Sequence, residues 1–146
     1  MVESANAIAI VGMSARMPGA GDLEQFWQLL REGRDAIGSA PADRPGIDET
    51  AGFLDTATEF DADFFGIPPN EARTIDPQQL LGLELSWEAL EDAGYRHRDG
   101  ARAGVFLGAT GTDFAETAAA RGRAGMSRHS LWAFGRGVAA NRIANY

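Results

Sequence analysis

The stretch that decides the fold runs from Asp76 to Gly94 and reads DPQQLLGLELSWEALEDAG. Asp is a good helix N-cap, Pro77 stands at the first helical position where its missing N–H costs nothing, and Gln79 completes a capping-box pattern. Apolar residues follow at helical spacing: Leu80, Leu83, Trp87 and Leu90, with Leu81 and Leu85 beside them. A stripe this wide predicts a well-buried helix that ends at Gly94.

Two short apolar runs predict strands. Residues 7–11 (AIAIV) and 104–108 (GVFLG) are continuous runs of the kind found in strands buried on both faces of a parallel sheet. Strands that alternate with helices indicate the α/β class. Two such strands are too few for an independent sheet, and open strand edges invite pairing with another chain. The sequence therefore predicts a sheet of which part is missing.

A second helix is predicted to begin at Asp22, which forms a capping-box pattern with Gln25, and to end at Gly33. Its apolar face is predicted to be formed by Leu23, Phe26, Trp27 and Leu30. Periodicity is lost over residues 34–58, which predicts a long surface excursion rich in Pro and Gly.

Two further helices are predicted outside these segments. Asn70 is expected to cap a short helix over residues 71–75. Residues 131–146 are predicted to form a helix with Ala139, Ile143 and Tyr146 on one side.

Composition narrows the class of protein. The 146 residues include 13 basic and 21 acidic side chains, a net charge of -8, so phosphate backbones would repel the chain and nucleic-acid binding is not expected. The absence of Cys removes disulfides, thiolate metal sites and a thiol nucleophile. The longest apolar run, residues 7–11, is too short to span a bilayer. No signal peptide precedes it, and we expect a cytoplasmic protein with no membrane partner.

Five blocks, taken in order, resemble the N-terminal part of the β-ketoacyl synthase (ketosynthase) of modular polyketide synthases. They are IAIVGMS and RMPGA (8–14 and 16–20), FWxLLxxG (26–33), GFL and FDADFFGI (52–54 and 60–67), DPQQ and WEALEDAG (76–79 and 87–94), and GVFLG (104–108). Together these blocks cover nearly the whole chain. The resemblance implies an incomplete, N-terminal part of a thiolase-like α/β fold, with residues 1–146 as one truncated ketosynthase-like domain.

The resemblance also implies the chemistry. Ketosynthases use a Cys nucleophile that attacks an acyl thioester, while two His and a Lys assist decarboxylation of a malonyl unit. All of these lie C-terminal to the matched blocks, and residues 138–146 resemble the helix just ahead of the strand that leads to the Cys. We therefore expect no catalytic, cofactor-binding or metal-ligating residue within residues 1–146.

Three positions depart from the family pattern. Leu80 and Asn70 stand where the family usually has Arg, and Gly82 stands where it has a larger apolar residue. Gly at a helix-interior position costs about 1 kcal/mol relative to Ala. Either altered contacts with a neighbouring segment or relaxed selection would account for the missing arginines.

The remaining candidate sites are better explained as structural. His97 and His129 stand in polar segments and match no family catalytic His, and no GxSxG elbow supports a triad built on Ser86 or Ser130. The acidic residues Asp55, Glu59, Asp61 and Asp63 lack the calcium-loop Gly and Glu, and are expected to form turns between buried Phe side chains. Residues 108–112 (GATGT) lack both phosphate-loop patterns. Asp76 to Gln79 are expected to cap a helix.

Three functional hypotheses remain open. The favoured one is a non-catalytic assembly module of polyketide biosynthesis that docks onto synthase subunits or an acyl carrier protein bearing a phosphopantetheine-linked acyl chain. The second is one piece of an active ketosynthase, completed by a longer polypeptide or a second chain, that catalyses decarboxylative Claisen condensation. The third is an unrelated function on an α/β fragment that pairs with itself as a homodimer.

Overall fold

The computed structural model of the chain describes residues 7–42, 47–55, 57, 59–95, 103–109, 114 and 136–146. Its elements are α1 (Leu23–Glu32), β1 (Ile37–Ser39), β2 (Thr50–Gly52), α2 (Pro69–Ala72), α3 (Pro77–Asp92) and α4 (Arg136–Ala144). The chain divides into two compact units. Unit 1 comprises Met1–Asp55 with Trp87–Gly100, and unit 2 comprises Thr56–Ser86 with Ala101–Tyr146, so α3 contributes to both.

The ends of α1 are fixed by local side-chain and backbone bonds. Asp22 Oδ1 accepts the backbone N–H of Gln25 at 2.8 Å, which confirms the predicted N-cap. The Gln25 side chain reaches back one residue further than in a standard capping box, because its Oε1 accepts the N–H of Gly21 at 3.1 Å. Gly33, at φ 62°, ends the helix in a Schellman motif in which Arg34 N–H donates to the Leu29 carbonyl at 3.1 Å.

The buried face of α1 differs from the predicted one. Leu29 is the buried residue of this helix, whereas Trp27 and Leu30 are more than half exposed. Two of the four predicted face residues are therefore wrong, while Leu23 and Phe26 are partly buried. Helical periodicity alone did not decide whether Leu29 or Leu30 is buried, because the two leucines are consecutive and lie on adjoining faces of the helix.

A β-hairpin lies within the segment predicted as an irregular excursion. β1 and β2 pair antiparallel, with Ile37 opposite Gly52 and Ser39 opposite Thr50. Gly52 permits this hairpin to approach the preceding loop closely, since a Cβ built on it would lie 2.8 Å from Pro18 Cγ. The sequence missed the hairpin because three-residue strands are too short to show a period.

The long helix α3 has the predicted bounds. Asp76 Oδ1 accepts the N–H of Gln78 at 2.9 Å, as a capping Asp does. At the other end Gly94, at φ 68°, forms a second Schellman motif, with Tyr95 N–H donating to the Leu90 carbonyl at 2.8 Å. Leu83 is buried.

The shorter helices of unit 2 correct one prediction and support another. α2 begins at Pro69 after Pro68, with no side-chain cap, so Asn70 lies inside the helix and the predicted Asn70 cap is wrong. Pro68 and Pro69 supply helix-compatible φ angles and have no N–H to satisfy. The predicted C-terminal helix is confirmed over Arg136–Ala144, and its residues 131–135 lie outside the described part of the chain.

The two predicted buried strands are not formed. Residues 7–11 and 103–109 belong to no strand, and Ile8 and Phe106 are 95% and 98% exposed. In the described part of the chain the only sheet is the β1–β2 hairpin. The reason is physical: a strand forms only through a hydrogen-bonded ladder with a neighbouring strand, and within the described part of the chain neither run takes part in such a ladder. The described residues also include no helix with the length and apolar character needed to cross a bilayer.

Candidate functional site

In unit 1, the loop that follows residues 7–11 contacts the last two turns of α3. The guanidinium of Arg16 forms a two-pronged ion pair with the Glu88 carboxylate, with Nη1 donating to Oε2 at 2.8 Å and Nη2 donating to Oε1. One turn later, Asp92 Oδ2 accepts the backbone N–H of Met13 at 2.9 Å. Glu88 and Asp92 are four residues apart and so share one face of the helix, which gives the loop two fixed points.

Gly12 makes the closest backbone approach at this junction. A Cβ built on Gly12 would lie 2.2 Å from the carbonyl oxygen of Ala89 and 2.7 Å from the amide nitrogen of Ala93. Real Cβ atoms do not come this close to backbone atoms, so only Gly permits the contact. The junction packs the VGMS motif against the WEALEDAG motif. Its role is structural: it holds one segment of the chain against another.

In unit 2, Arg142 links three helices. Its Nε donates to the Oε1 of Gln79 at 3.3 Å, and its Nη1 lies 3.8 Å from the Oε1 of Glu71. Asp76 and Gln79 are buried, with relative exposures of 6% and 5%. The DPQQ motif therefore caps α3, as predicted, and also offers an acceptor to α4.

An aromatic cluster lies in the same unit. The Phe65 ring stacks on Phe60 and meets Phe64 edge-on, with centroid distances of 5.0 Å in both cases. Tyr146 packs on Phe65 at a centroid distance of 4.8 Å, and its hydroxyl donates to the Phe64 carbonyl at 3.2 Å. Phe65 is buried and Phe64 is half exposed, so the prediction of buried Phe anchors holds for Phe65 and not for Phe64.

An open groove of about 320 Å³ lies beside this cluster. Its lining is formed by Phe65, Ile67, Leu83, Val138, Asn141, Arg142, Asn145 and Tyr146. Among the described residues, these lining side chains include no carboxylate, thiol or imidazole, so they offer apolar surface with a few polar groups and no acid–base pair.

The other candidate residues from the sequence have structural roles or are exposed, as far as they lie within the described residues. Ser86 Oγ donates to the Gly82 carbonyl at 2.6 Å within α3, which occupies its hydroxyl proton in the helix. Asp61 Oδ1 accepts the N–H of Phe64 at 3.0 Å, as expected of a turn-forming residue. Asp55, Glu59 and Asp63 are exposed. Across the described ranges no three His, Cys, Asp or Glu side chains group as metal ligands.

Some of the residues considered in the sequence fall on segments that the structure does not describe. His97, His129, Ser130 and residues 110–112 lie outside the described residues. The contacts of Arg16 and Arg142 were not predicted from the sequence. The Glu88 and Asp92 spacing was a usable signal for the first, whereas no local pattern marks Arg142 as the partner of Gln79.

Comparison with known proteins identifies the family. Residues 5–146 match the model of the β-ketoacyl synthase N-terminal domain. The chain is 42% identical over 94% of its length to polyketide synthase GfsA of Streptomyces halstedii, and 50% identical over 73% to erythronolide synthase EryA3 of Saccharopolyspora erythraea. It covers 2% and 4% of those proteins, so it spans a small fraction of these curated relatives.

Solved ketosynthases share its fold. The ketosynthase from module 6 of the bacillaene synthase of Bacillus subtilis 168 matches 97% of the chain at 37% identity and a TM-score of 0.74. An oxazolomycin ketosynthase domain from Streptomyces albus JA3453 matches 94% at 33% identity and a TM-score of 0.77. The chain spans 24% and 27% of these two structures. The prediction of an incomplete, thiolase-like α/β fold is confirmed, and the chain belongs to the β-ketoacyl synthase family as part of the N-terminal domain of a polyketide ketosynthase.

Proposed function

We propose that residues 1–146 form a non-catalytic scaffold portion of a ketosynthase, and that they take part in decarboxylative condensation once the rest of the fold is supplied. Family membership supports the reaction class. The 146 residues contain no Cys to serve as the acyl-accepting nucleophile, and we assign them no catalytic, cofactor or metal role. The expected location is the cytoplasm.

The observation that carries this proposal is the exposure of two apolar runs. Ile8, Ile10 and Val11 in the first run and Phe106 and Leu107 in the second leave large side chains in water. Burying such a side chain contributes about 1.5–3 kcal/mol, so both runs gain free energy when neighbouring strands cover them. We propose that the remaining three quarters of the ketosynthase fold covers these two runs.

The condensation itself would use groups outside residues 1–146. A Cys thiolate attacks the acyl thioester of a carrier, forms the acyl-cysteine bond and releases the carrier thiol. A malonyl thioester then loses CO₂, and the resulting enolate carbon bonds to the acyl carbon as the Cys thiolate leaves. In this scheme the partners are the other polyketide synthase subunits and an acyl carrier protein, and the present chain positions the segments that meet them.

A second candidate is a stand-alone assembly module that binds a polyketide synthase without completing an active site. It draws on the same exposed apolar runs, which a synthase subunit would cover in either case. The two candidates differ in whether binding of the chain to its partner produces condensation activity.

Both candidates are tested by supplying the missing C-terminal part of a ketosynthase as a second chain. Residues 1–146 are co-expressed with the remaining C-terminal part of the bacillaene module 6 ketosynthase, and a complex is sought by co-purification. Acylation of the completing piece and release of CO₂ from a malonyl thioester are then measured, with a Cys-to-Ser variant of that piece as the negative control. A complex with CO₂ release supports the scaffold role, a complex without it supports the assembly module, and no complex contradicts both.

A further inference from the structure

The C-terminal end of α4 is held at two points by other segments of unit 2. Arg142 donates from Nε to Gln79 Oε1 at 3.3 Å, and its Nη1 lies 3.8 Å from Glu71 Oε1. Four residues later, the Tyr146 hydroxyl donates to the Phe64 carbonyl at 3.2 Å. The two contacts oppose both rotation of the helix about its axis and sliding along it.

The acceptor for Arg142 is itself rigidly placed. Gln79 is 5% exposed, and its own N–H donates to the Asp76 carbonyl at 2.9 Å in the first turn of α3. Asp76, 6% exposed, fixes that turn through Oδ1 and the Gln78 N–H. A guanidinium presents a planar fork of donors, so pairing with both Gln79 and Glu71 selects one orientation of the Arg142 side chain.

We infer that Gln79 and Arg142 are positioning residues for the condensation: together they set the register of α4, and thereby the place of the chain that continues beyond Tyr146 in the completed ketosynthase. This inference rests on the proposed function. A helix that shifts by one residue moves its end by about 1.5 Å. Misplacement of a reacting group by about 1 Å can lower a rate by roughly 100-fold.

The first experiment measures amide hydrogen exchange of residues 137–145 in the full 146-residue chain. Gln79→Ala and Arg142→Ala should each speed this exchange about 5-fold or more, because each leaves a polar partner without its bond. Gln79→Glu keeps an acceptor oxygen and should retain the slow exchange. Asn70→Ala changes an exposed polar side chain of α2 in the same unit and serves as the matched control.

The second experiment measures condensation kinetics in a single chain in which residues 1–146 are fused, through Tyr146, to the C-terminal part of the bacillaene module 6 ketosynthase. Gln79→Ala and Arg142→Ala should lower kcat about 10-fold or more with little change in KM, and the double variant should fall no further than either single one. Arg142→Lys keeps the charge and loses the fork, so it should not restore kcat. Leu29→Ala removes a buried side chain of unit 1, destabilises the chain, and should leave kcat unchanged.

The results separate the inference from the proposed function. Faster exchange together with a lower kcat supports the positioning role. Unchanged exchange, or faster exchange with unchanged kcat, overturns it while the ketosynthase activity stands. A completed but unsubstituted protein that condenses nothing contradicts the proposed function, and the positioning role with it.

Discussion

Arg16 and Glu88, which lie 72 residues apart in sequence, join through both terminal nitrogens of the guanidinium and both carboxylate oxygens. The side chains are about one quarter and one third exposed, so water weakens the attraction only in part. The pair ties the loop after residues 7–11 to the C-terminal half of α3, and Gly12 and Met13 dock beside it. A side-chain pair of this geometry is stronger than a typical surface ion pair.

Removing one partner of this pair should destabilise unit 1. Arg16→Ala and Glu88→Ala are each expected to lower the free energy of unfolding by about 1 kcal/mol, measured by urea denaturation. The double variant should cost less than the sum of the single variants, because both remove the same bond. Arg34→Ala breaks an exposed pair with Glu32 and should change stability by less than about 0.5 kcal/mol. Additive effects of Arg16→Ala and Glu88→Ala would show that the pair contributes nothing.

Gly12→Ala tests the close approach at the same junction. The added methyl would meet the Ala89 carbonyl oxygen at 2.2 Å and the Ala93 amide nitrogen at 2.7 Å, and backbone atoms of a helix cannot turn aside as a side chain can. We expect a loss of about 1–3 kcal/mol in the free energy of unfolding. Gly38→Ala is the control, because among the described residues no atom beyond its two chain neighbours lies within 4 Å of a Cβ there. Equal stability of the two variants would contradict the close contact.

Helix ends could be predicted from the sequence because their determinants are local. Asp22 and Asp76 bond to amides two or three residues away, and Gly33 and Gly94 adopt the left-handed conformation that ends a helix. Such contacts need no knowledge of the rest of the chain. The family blocks were recognisable for a related reason, since they contain these caps and turns at fixed spacings.

Contacts between distant segments could not be predicted in the same way. Arg142 and Gln79 are separated by 63 residues, and nothing near either one identifies the other. Residues 7–11 and 103–109 carry a strand composition, yet a strand also requires a neighbour to bond with. A single sequence indicates the secondary structure that a segment prefers. Whether the segment adopts it depends on the neighbouring segments that are available to bond with it.

Gly82→Ala should stabilise the chain. A Cβ at this position in α3 would lie 3.5 Å from Ile143 Cδ1, an ordinary van der Waals contact, so nothing needs to move. Alanine also lowers the conformational entropy lost by a helical Gly, and the expected gain is about 0.5–1 kcal/mol in the free energy of unfolding. The melting temperature should rise accordingly. Gly94→Ala should have the opposite sign, because φ at Gly94 is 68°.

Phe106→Ala separates the stability of the chain from its proposed completion. The Phe106 side chain is 98% exposed, so truncating it removes almost no buried surface and should leave the unfolding of the 146-residue chain unchanged. In the completed ketosynthase the same ring would be covered. Its loss should then weaken binding of the completing piece by about 1.5–3 kcal/mol, or roughly 10-fold to 100-fold in Kd. Titration calorimetry with the two purified pieces measures this difference.

Leu83→Ala provides the contrast, because Leu83 is already buried, at 3% exposure, within the chain. It should lower the free energy of unfolding by about 2–5 kcal/mol. The opposite pattern is decisive: if Phe106→Ala destabilises the isolated chain as Leu83→Ala does, then residues 103–109 already pack within it. Residues 103–109 would then not be a free binding surface for the rest of the ketosynthase, and the proposed scaffold role would lose its principal support.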